Sequence, residues 1–382
     1  MSRAFVVDAL RTAFGKAKVG AFARVRPEDY ASPLIAALLN RHHLDGSALD
    51  DVIIGCAAPE AEQGLNIARL VSVAAGVPVT TSAMTVNRLC ASSLSAIGIG
   101  AASIAAGYAD LVLAGGLESM SLLPMRGHHF SRSPLVDRVC PDVYTRVGIT
   151  AEHVARRFDV ARTEQDELAQ RSHALAFKAF TDGRLANEII PVSIDGALAE
   201  RDEIIRESVS LGVLAKLPSA FVDDGTVTAA NCAPIADGAS AVILASAAAL
   251  DRLGMRDRDA LGVFEGIVSV GVDPTVMGIG PALAIPKLLA KNGVSFDAID
   301  IFEVNESFAS QACYVRRALG IPWSKFNVDG GAIALGHPLG ASGGRLIGHA
   351  LRALRARGGG RAVVSMCVGG GMGVAALVNC DI

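Results

Sequence analysis

Short β-branched runs recur along the chain: AFVVDA at 4–9, DVIIGC at 51–56, DLVLAGG at 110–116, SAVILAS at 240–246 and RAVVSMC at 361–367. Between them lie Ala- and Leu-rich stretches of helical length. This alternation predicts α/β layers, and the unbroken apolar character of the runs predicts strands covered on both faces and largely parallel. Two segments share one plan. In the first half AMTV (83–86) leads through a turn to SSLSAIGIGAASIAAG and then to the strand ADLVLAGG. In the second half KFNV (325–328) leads through a glycine loop to GASGGRLIGHALRALRA and then to RAVVSMCVGG. The pattern reads as a duplicated β-loop-α-β unit. The stretch from about Ser119 to Asp237 is more polar, and TEQDELAQRSHALAFKAFTDG within it has its apolar residues on one helical face. It therefore reads as an insertion. The expected division is a first core half over 1–118, completed by about 240–265, an inserted domain over 119–239 and a second core half over 266–382. Two long uncharged runs, Leu89 to Ala109 and Ala362 to Cys380, have the length of membrane spans. The first is rich in Ser, Ala and Gly and the second is interrupted by GGGMG, so both are expected to be buried core elements.

Composition narrows the function. The 382 residues are 51% hydrophobic and 19% charged, enough to bury a large core. A net charge of −3 gives no general pull towards nucleic acid or anionic lipid. A polyanionic ligand needs a local patch, and Arg126, Arg132, Arg138, Arg146, Arg156, Arg157 and Arg162 stand against Asp137, Asp142, Glu152 and Asp159 in one stretch. That stretch is either a solvated surface or a seat for a nucleotide phosphate. The seven cysteines, at 56, 90, 140, 232, 313, 367 and 380, form no CxxC pair, which argues against a disulfide framework or a zinc ribbon and for a reducing, cytoplasmic setting. MSRAFVVDALRTAFGK at the start shows no export pattern, and CDI at the end is not a peroxisomal tail.

Four places carry candidate chemistry. Cys90, in NRLCASSLSAIG, falls where a strand pattern meets a helix, so the helix dipole is expected to lower its thiol pKa; a buried structural cysteine is the plainer reading. His337 stands alone in the glycine-dense NVDGGAIALGHPLGASGG, which lacks Walker A and GxGxxG spacing and so reads as a rigid loop fixing one imidazole. Asn305 and Glu306, in EVNESFA, lie at the expected start of a helix, where Asn305 by itself reads as a cap. Cys367 precedes Val368-Gly369-Gly370-Gly371, which sets a thiol beside open backbone N–H groups, a geometry that suits proton transfer next to an oxyanion hole. Papain-like hydrolases need one thiol. A second makes sense where protons move at both carbon and sulfur.

With these residues in view, the chain resembles the thiolase family, and its degradative 3-ketoacyl-CoA branch most closely. The resemblance runs end to end through DALRTAFGK, NRLCASS, AGGLESMS, GITAEHVA, DGTVTAANCAPIADGAS, GVDPTVMGIGP, NESFA, GGAIALGHPLGASG and CVGGGMG. It implies a layered α-β-α-β-α fold of two similar halves with an inserted loop domain that binds CoA. It implies Cys90 as nucleophile, His337 as its activator and a binder of the thioester oxygen, Asn305 as holder of a water in the same oxyanion hole, and Cys367 as acid/base. The N–H groups of Cys90 and Gly369 correspond to a second oxyanion hole. Arg206, Phe221, Ala229, Ala233, Met277 and Phe308 map to CoA and acyl contacts. The implied reaction is ping-pong thiolysis in fatty acid β-oxidation, with CoA as substrate and no permanent cofactor or metal. A homodimer or homotetramer is expected, and a β-oxidation multienzyme partner is compatible with it. Neither nucleic acid nor a membrane span is expected.

Departures from the family pattern are Ala233 for a serine that contacts pantetheine, Val147 for methionine, Ser307 for the alanine of NEAFA and Ser93 for glycine. All four are expected near the acyl or pantetheine path. The competing readings are a biosynthetic acetoacetyl-CoA thiolase using the same residues and an inactive scaffold subunit. A decarboxylating ketoacyl synthase would need a histidine where Cys367 stands.

Overall fold

The β-branched runs form the strands that their composition predicts. The structure, a computed structural model, describes residues 2–381; Met1 and Ile382, at the ends of the two terminal segments read above, lie outside the described residues. The strands are β1 (Ala4–Arg11), β2 (Gly15–Lys16), β3 (Asp51–Gly55), β4 (Ser82–Val86), β5 (Leu111–Ser119), β6 (Val192–Ile194), β7 (Ala197–Ala199), β8 (Ala236–Ala245), β9 (Gly262–Gly271), β10 (Ile301–Val304), β11 (Arg361–Val368) and β12 (Met372–Asn379). Ten join one sheet in the order β10-β11-β12-β9-β1-β8-β5-β3-β4 with β2 beside β8, while β6 and β7 pair separately.

The sense of pairing corrects an expectation. Only β3/β4, β3/β5 and β10/β11 are parallel, and the other six pairings of the large sheet are antiparallel. An unbroken apolar run reports helices on both faces of a strand. It says nothing of the neighbour's direction.

The same senses recur in the two halves. β3, β5, β8 and β1 pair parallel, antiparallel and antiparallel, as do β10, β11, β12 and β9. Where β4 flanks β3, the second half has only an isolated bridge, Phe302 to Phe326. KFNV fails to extend into a strand because Asn327 adopts φ +42 and its side chain takes the place of the ladder, bonding the Val304 N–H at 2.8 Å and its carbonyl at 2.9 Å.

Alternate residues of the strands face different cores, as the pleat requires. Val6, Val242, Val364 and Val374 enter one central core with the helices Ser92–Ala106 and Ser342–Ala356. Val7 and Ile243 face an outer core under the helix Pro27–Arg41, and Val363 and Leu377 face another beside Gly280–Asn292 and Ala309–Leu319. Both sheet halves thus cover the same pair of helices, which gives five layers. Small residues permit this. A Cβ at Gly98 would meet Ile267 of the second half at 2.8 Å, and one at Gly100 would meet Leu244 and Val112 of the first at 2.9 and 3.0 Å. The uncharged run is therefore a core helix, 67% buried over Leu89–Ala106.

Between β5 and β8 the chain leaves the large sheet. Its longest helix there, Arg162–Thr181, turns inward not only Leu168, Ala169, Ala176 and Ala179 but also Gln165, Asp166, Ser172 and His173. The apolar face read from the sequence is thus half polar. Asp166 and Ser172 bond Asn231 and Glu306, so this face joins loops that lead to the site.

Candidate active site

The turn from β4 into the first central helix sets Cys90. Leu89 is held in the left-handed region at φ +45, its N–H bonded to Asn87 Oδ1 at 2.7 Å, and Cys90 follows on a single tight turn before Ser92. Cys90 is only 7% exposed. The helix start does not lower its pKa as expected: burial pushes the thiol up to about 12, with the Cys367 sulfur adding in the same direction. The backbone N–H groups of Gly369 and of Cys90 itself oppose the rise.

His337 sits at the end of a short turn, Ala332–Leu335, before the second central helix. Its Nδ1 lies 2.6 Å from Ser342 Oγ, and that hydroxyl already donates to the Pro338 carbonyl at 2.9 Å. Nδ1 must therefore carry the hydrogen, leaving the Nε2 lone pair free to accept. Nε2 meets Asn305 Nδ2 at 3.2 Å. Burial, reinforced by the Arg345 cation, drives the His337 pKa down to about 3, so the ring is neutral near pH 7. The sequence offered no sign of Ser342 as the group that fixes the tautomer.

Asn305 is not a helix cap. It follows β10 directly, its N–H donates to the Ser365 carbonyl at 2.9 Å, and the next helix starts only at Ala309. Its Nδ2 reaches Ser307 Oγ at 3.0 Å, and its buried Oδ1 has no protein partner. Cys367, at the end of β11, is fully buried; burial pushes its thiol up to about 11, and its Sγ meets Ser307 Oγ at 3.4 Å. Buried carboxylates brace the frame. Glu118 accepts from the N–H groups of Ala57, Ala58 and Gly340 and from Gln63, locking the loop after His337 to the end of β5. Glu306 accepts from Ser172, Asn327 and the Ile333 N–H beneath the same loop. Neither role was legible in the sequence, because the partners are remote along the chain.

Cys90, His337, Ser307, Phe308, Met277 and Gly369 open on a cavity of about 1200 Å3. Phe221, Ala229, Ala233 and Val147 also line it, as do Lys16, Arg126 and Arg146. Phe221 packs edge-on to Phe308 with centroids 6.0 Å apart. Arg206 is exposed and off this wall, its backbone N–H on His173 Nδ1 at 3.3 Å. Ser93 also lies away from it: its hydroxyl accepts the Gly344 N–H at 3.1 Å and joins the two central helices, so this departure is a packing feature. Of the seven arginines, Arg126 and Arg146 face the cavity, whereas Arg157 and Arg162 pair with Asp273 and Asp166.

Residues 4–248 match the family described as thiolase, N-terminal domain, and residues 258–380 match thiolase, C-terminal domain. The chain belongs to the thiolase family. A 3-ketoacyl-CoA thiolase of Bacillus subtilis is 43% identical over 98% of both chains. Three solved thiolases share the fold. An acetyl-CoA acetyltransferase of Bacillus anthracis matches with a TM-score of 0.91 at 34% identity over 99% of both chains. The dimeric peroxisomal thiolase of Saccharomyces cerevisiae matches at 0.91 and 36%, covering 99% of this chain and 97% of its own. The human mitochondrial 3-ketoacyl-CoA thiolase, solved in complex with CoA, matches at 0.90 and 38%, covering 99% and 98%. This thiolase fold is the one that the family resemblance implied.

Proposed function

We propose that the chain is a degradative 3-ketoacyl-CoA thiolase, cleaving a 3-ketoacyl-CoA with CoA to acetyl-CoA and an acyl-CoA two carbons shorter in fatty acid β-oxidation. The observation that carries this reading is a large cavity lined by the Cys90 thiol and the neutral His337 imidazole, with the buried Asn305 amide bonded to that ring and the buried Cys367 thiol behind the wall formed by Ser307. In the first half-reaction His337 Nε2 takes the Cys90 proton as Sγ attacks the 3-keto carbon. The C2–C3 bond breaks, its electron pair forms the enolate of acetyl-CoA, and His337 with a water on Asn305 Oδ1 holds the enolate oxygen. Cys367 then protonates C2. In the second, the Cys367 thiolate takes the thiol proton of incoming CoA. The CoA sulfur attacks the acyl group on Cys90, whose oxyanion is held by the N–H groups of Cys90 and Gly369; as the acyl-CoA leaves, the bond from the acyl carbon to Cys90 Sγ breaks and the sulfur takes its proton back from His337. CoA is a substrate here, and each step is served by a thiol, an imidazole or an amide.

Phe221, Ala229, Ala233, Met277 and Phe308 would wall the pantetheine and acyl path, with Lys16, Arg126 and Arg146 beside the phosphates and Arg206 meeting only the nucleotide end that projects beyond the wall. The reading includes a cytoplasmic homodimer. It is supported by the dimeric state of the yeast relative and by the bacterial source of the Bacillus subtilis one.

The test is thiolysis, followed by thioester absorbance, of acetoacetyl-CoA and a medium-chain 3-ketoacyl-CoA, each with free CoA, for the native chain and for Cys90→Ser. Cleavage of the longer substrate that falls at least about a thousandfold in Cys90→Ser is expected. Activity confined to acetoacetyl-CoA would overturn the degradative assignment, and none on either would overturn the reaction.

A further inference from the structure

Ser307 stands where the family pattern has alanine, and the reaction set out above makes no use of its hydroxyl. The side chain is 7% exposed and faces the cavity. Its backbone is pinned, the carbonyl accepting the Ala233 N–H at 3.0 Å. Oγ takes an N–H of Asn305 at 3.0 Å and lies 3.4 Å from Cys367 Sγ.

A hydroxyl offers two lone pairs and one rotatable hydrogen. While Cys367 is a thiol, the Asn305 N–H and the Cys367 S–H fill both lone pairs. Once Cys367 has given its proton away, the same contact joins a thiolate to a hydroxyl free to rotate, and O–H can donate back to sulfur. Besides Ser307, the backbone N–H of Cys367 itself favours the thiolate, and the surrounding side chains offer no further donor among the described residues. Ala151, Val227, Met277, Phe308 and Val147 pack around it, and the titratable neighbours are the Cys90 and Cys232 thiols and, beyond Asn305, the His337 ring. Among the described residues, Ser307 is the side chain that hydrogen-bonds this sulfur.

We propose that Ser307 is a positioning residue for Cys367: it fixes Sγ just behind the cavity wall that Ser307 itself forms and, by turning its hydroxyl, donates to the thiolate that the first half-reaction leaves there. This rests on the thiolase reading. The proton balance is simple. The S–H bond of Cys367 breaks as C2–H forms, Ser307 keeps its own hydrogen throughout, and the hydroxyl turns back when CoA returns a proton to sulfur. Burial raises the Cys367 pKa, and the Ser307 contact opposes that rise, in keeping with this role.

The experiment compares the native chain, Ser307→Ala and Ser307→Thr by two readouts. One is the infrared S–H stretching band of Cys367, assigned by subtracting the spectrum of Cys367→Ala. The other is steady-state thiolysis with CoA varied. A donor lost from a buried anion predicts kcat lower by about tenfold in Ser307→Ala, with KM for CoA within about twofold. Its S–H band is expected at higher frequency, as for a thiol without an acceptor, and Ser307→Thr is expected to restore both. An unmoved S–H band, or an unchanged kcat, overturns the proposal. If the native chain cleaves no 3-ketoacyl-CoA, the functional reading falls and takes this role with it, whereas a shift of the band would still place the hydrogen bond.

Discussion

The resting state of the site is set by protonation. Cys90 is pushed up to about 12 and His337 down to about 3, so at pH 7 the pair is thiol and imidazole, with no ion pair in place. In the proposed mechanism the charge therefore forms only as Cys90 attacks, when the Cys90 and Gly369 N–H groups and the new His337 cation would stabilise it. The native chain is expected to show no Cys90 thiolate absorbance in the ultraviolet at pH 7 when Cys90→Ser is subtracted; a full thiolate signal there would contradict this. His337→Ala leaves the thiol without an acceptor for its proton, and a drop in kcat of at least about a hundredfold is expected, measured by thiolysis. Because protonation of His337 needs a pH near 3, acidification from pH 7.5 to 5.5 is expected to leave this base competent, and a fall in kcat/KM with a midpoint near 6.5 would refute that. At this scale the sequence was informative where glycine or a helix start surrounds a reactive group, as at Cys90, His337 and Cys367. It was silent on Ser342, Glu118 and Glu306, whose work depends on partners far along the chain.

Elements place these residues by close backbone approach. The two central helices meet where a Cβ on Gly343 would lie 2.5 Å from the Leu94 N, a contact with backbone that no rotamer change relieves. Gly343→Ala must therefore part the helices that carry Cys90 and the His337 loop. Overpacking of this kind costs about 1–3 kcal/mol, to be read from the shift in urea midpoint. A fall in kcat at temperatures where the variant remains folded is also expected, because the two helix starts separate. An unchanged midpoint would show that the helices have slack. The alternation of strand and helix, and the unit repeated in each half, were readable from period and length alone. Strand sense was not, since β8 and β12, whose pairings are all antiparallel, are as buried as β3 and β10, whose pairings are parallel. Nor was the loss of a strand at KFNV, which turns on one Asn327 side chain substituting for the ladder.

Across the whole molecule, buried charge ties the parts together. Arg11 of β1 bonds Glu188 at 2.7 Å and Asp202 at 2.6 Å, fastening the segment between β5 and β8 to the sheet. Asp8, on the same strand, meets Arg352 of the second central helix at 2.7 Å and His42 at 3.1 Å. Burial raises the Asp8 pKa, but the His42 hydrogen bond and Arg352 outweigh it and bring it to about 2. Its folded pKa lies below the unfolded value of about 3.8, so its contribution is complete above pH 4 and is lost as pH falls towards 2. That contribution is about 2 kcal/mol, and Asp8→Asn is expected to flatten the loss of urea stability between pH 4.5 and 2.5. An equally steep loss in the variant would assign the acid sensitivity elsewhere.

The outer boundary of the fold makes a further demand. The large sheet ends at β4, whose residues Ala83 to Val86 are only half-buried, and near it Leu65 is 91% exposed, Leu70 40% and Val73 44%. An open strand edge beside exposed aliphatic side chains invites pairing with another chain. A second copy meeting this face about a twofold axis would cover both edges at once and close the assembly. Light scattering at micromolar concentration is then expected to give twice the chain mass. Leu65→Glu combined with Val73→Glu replaces solvent-exposed or half-exposed side chains, so the monomer should still fold by circular dichroism while the mass falls to that of one chain. A native chain that stays monomeric would remove the homodimer from the functional reading, and a double variant that stays dimeric would move the interface to another face.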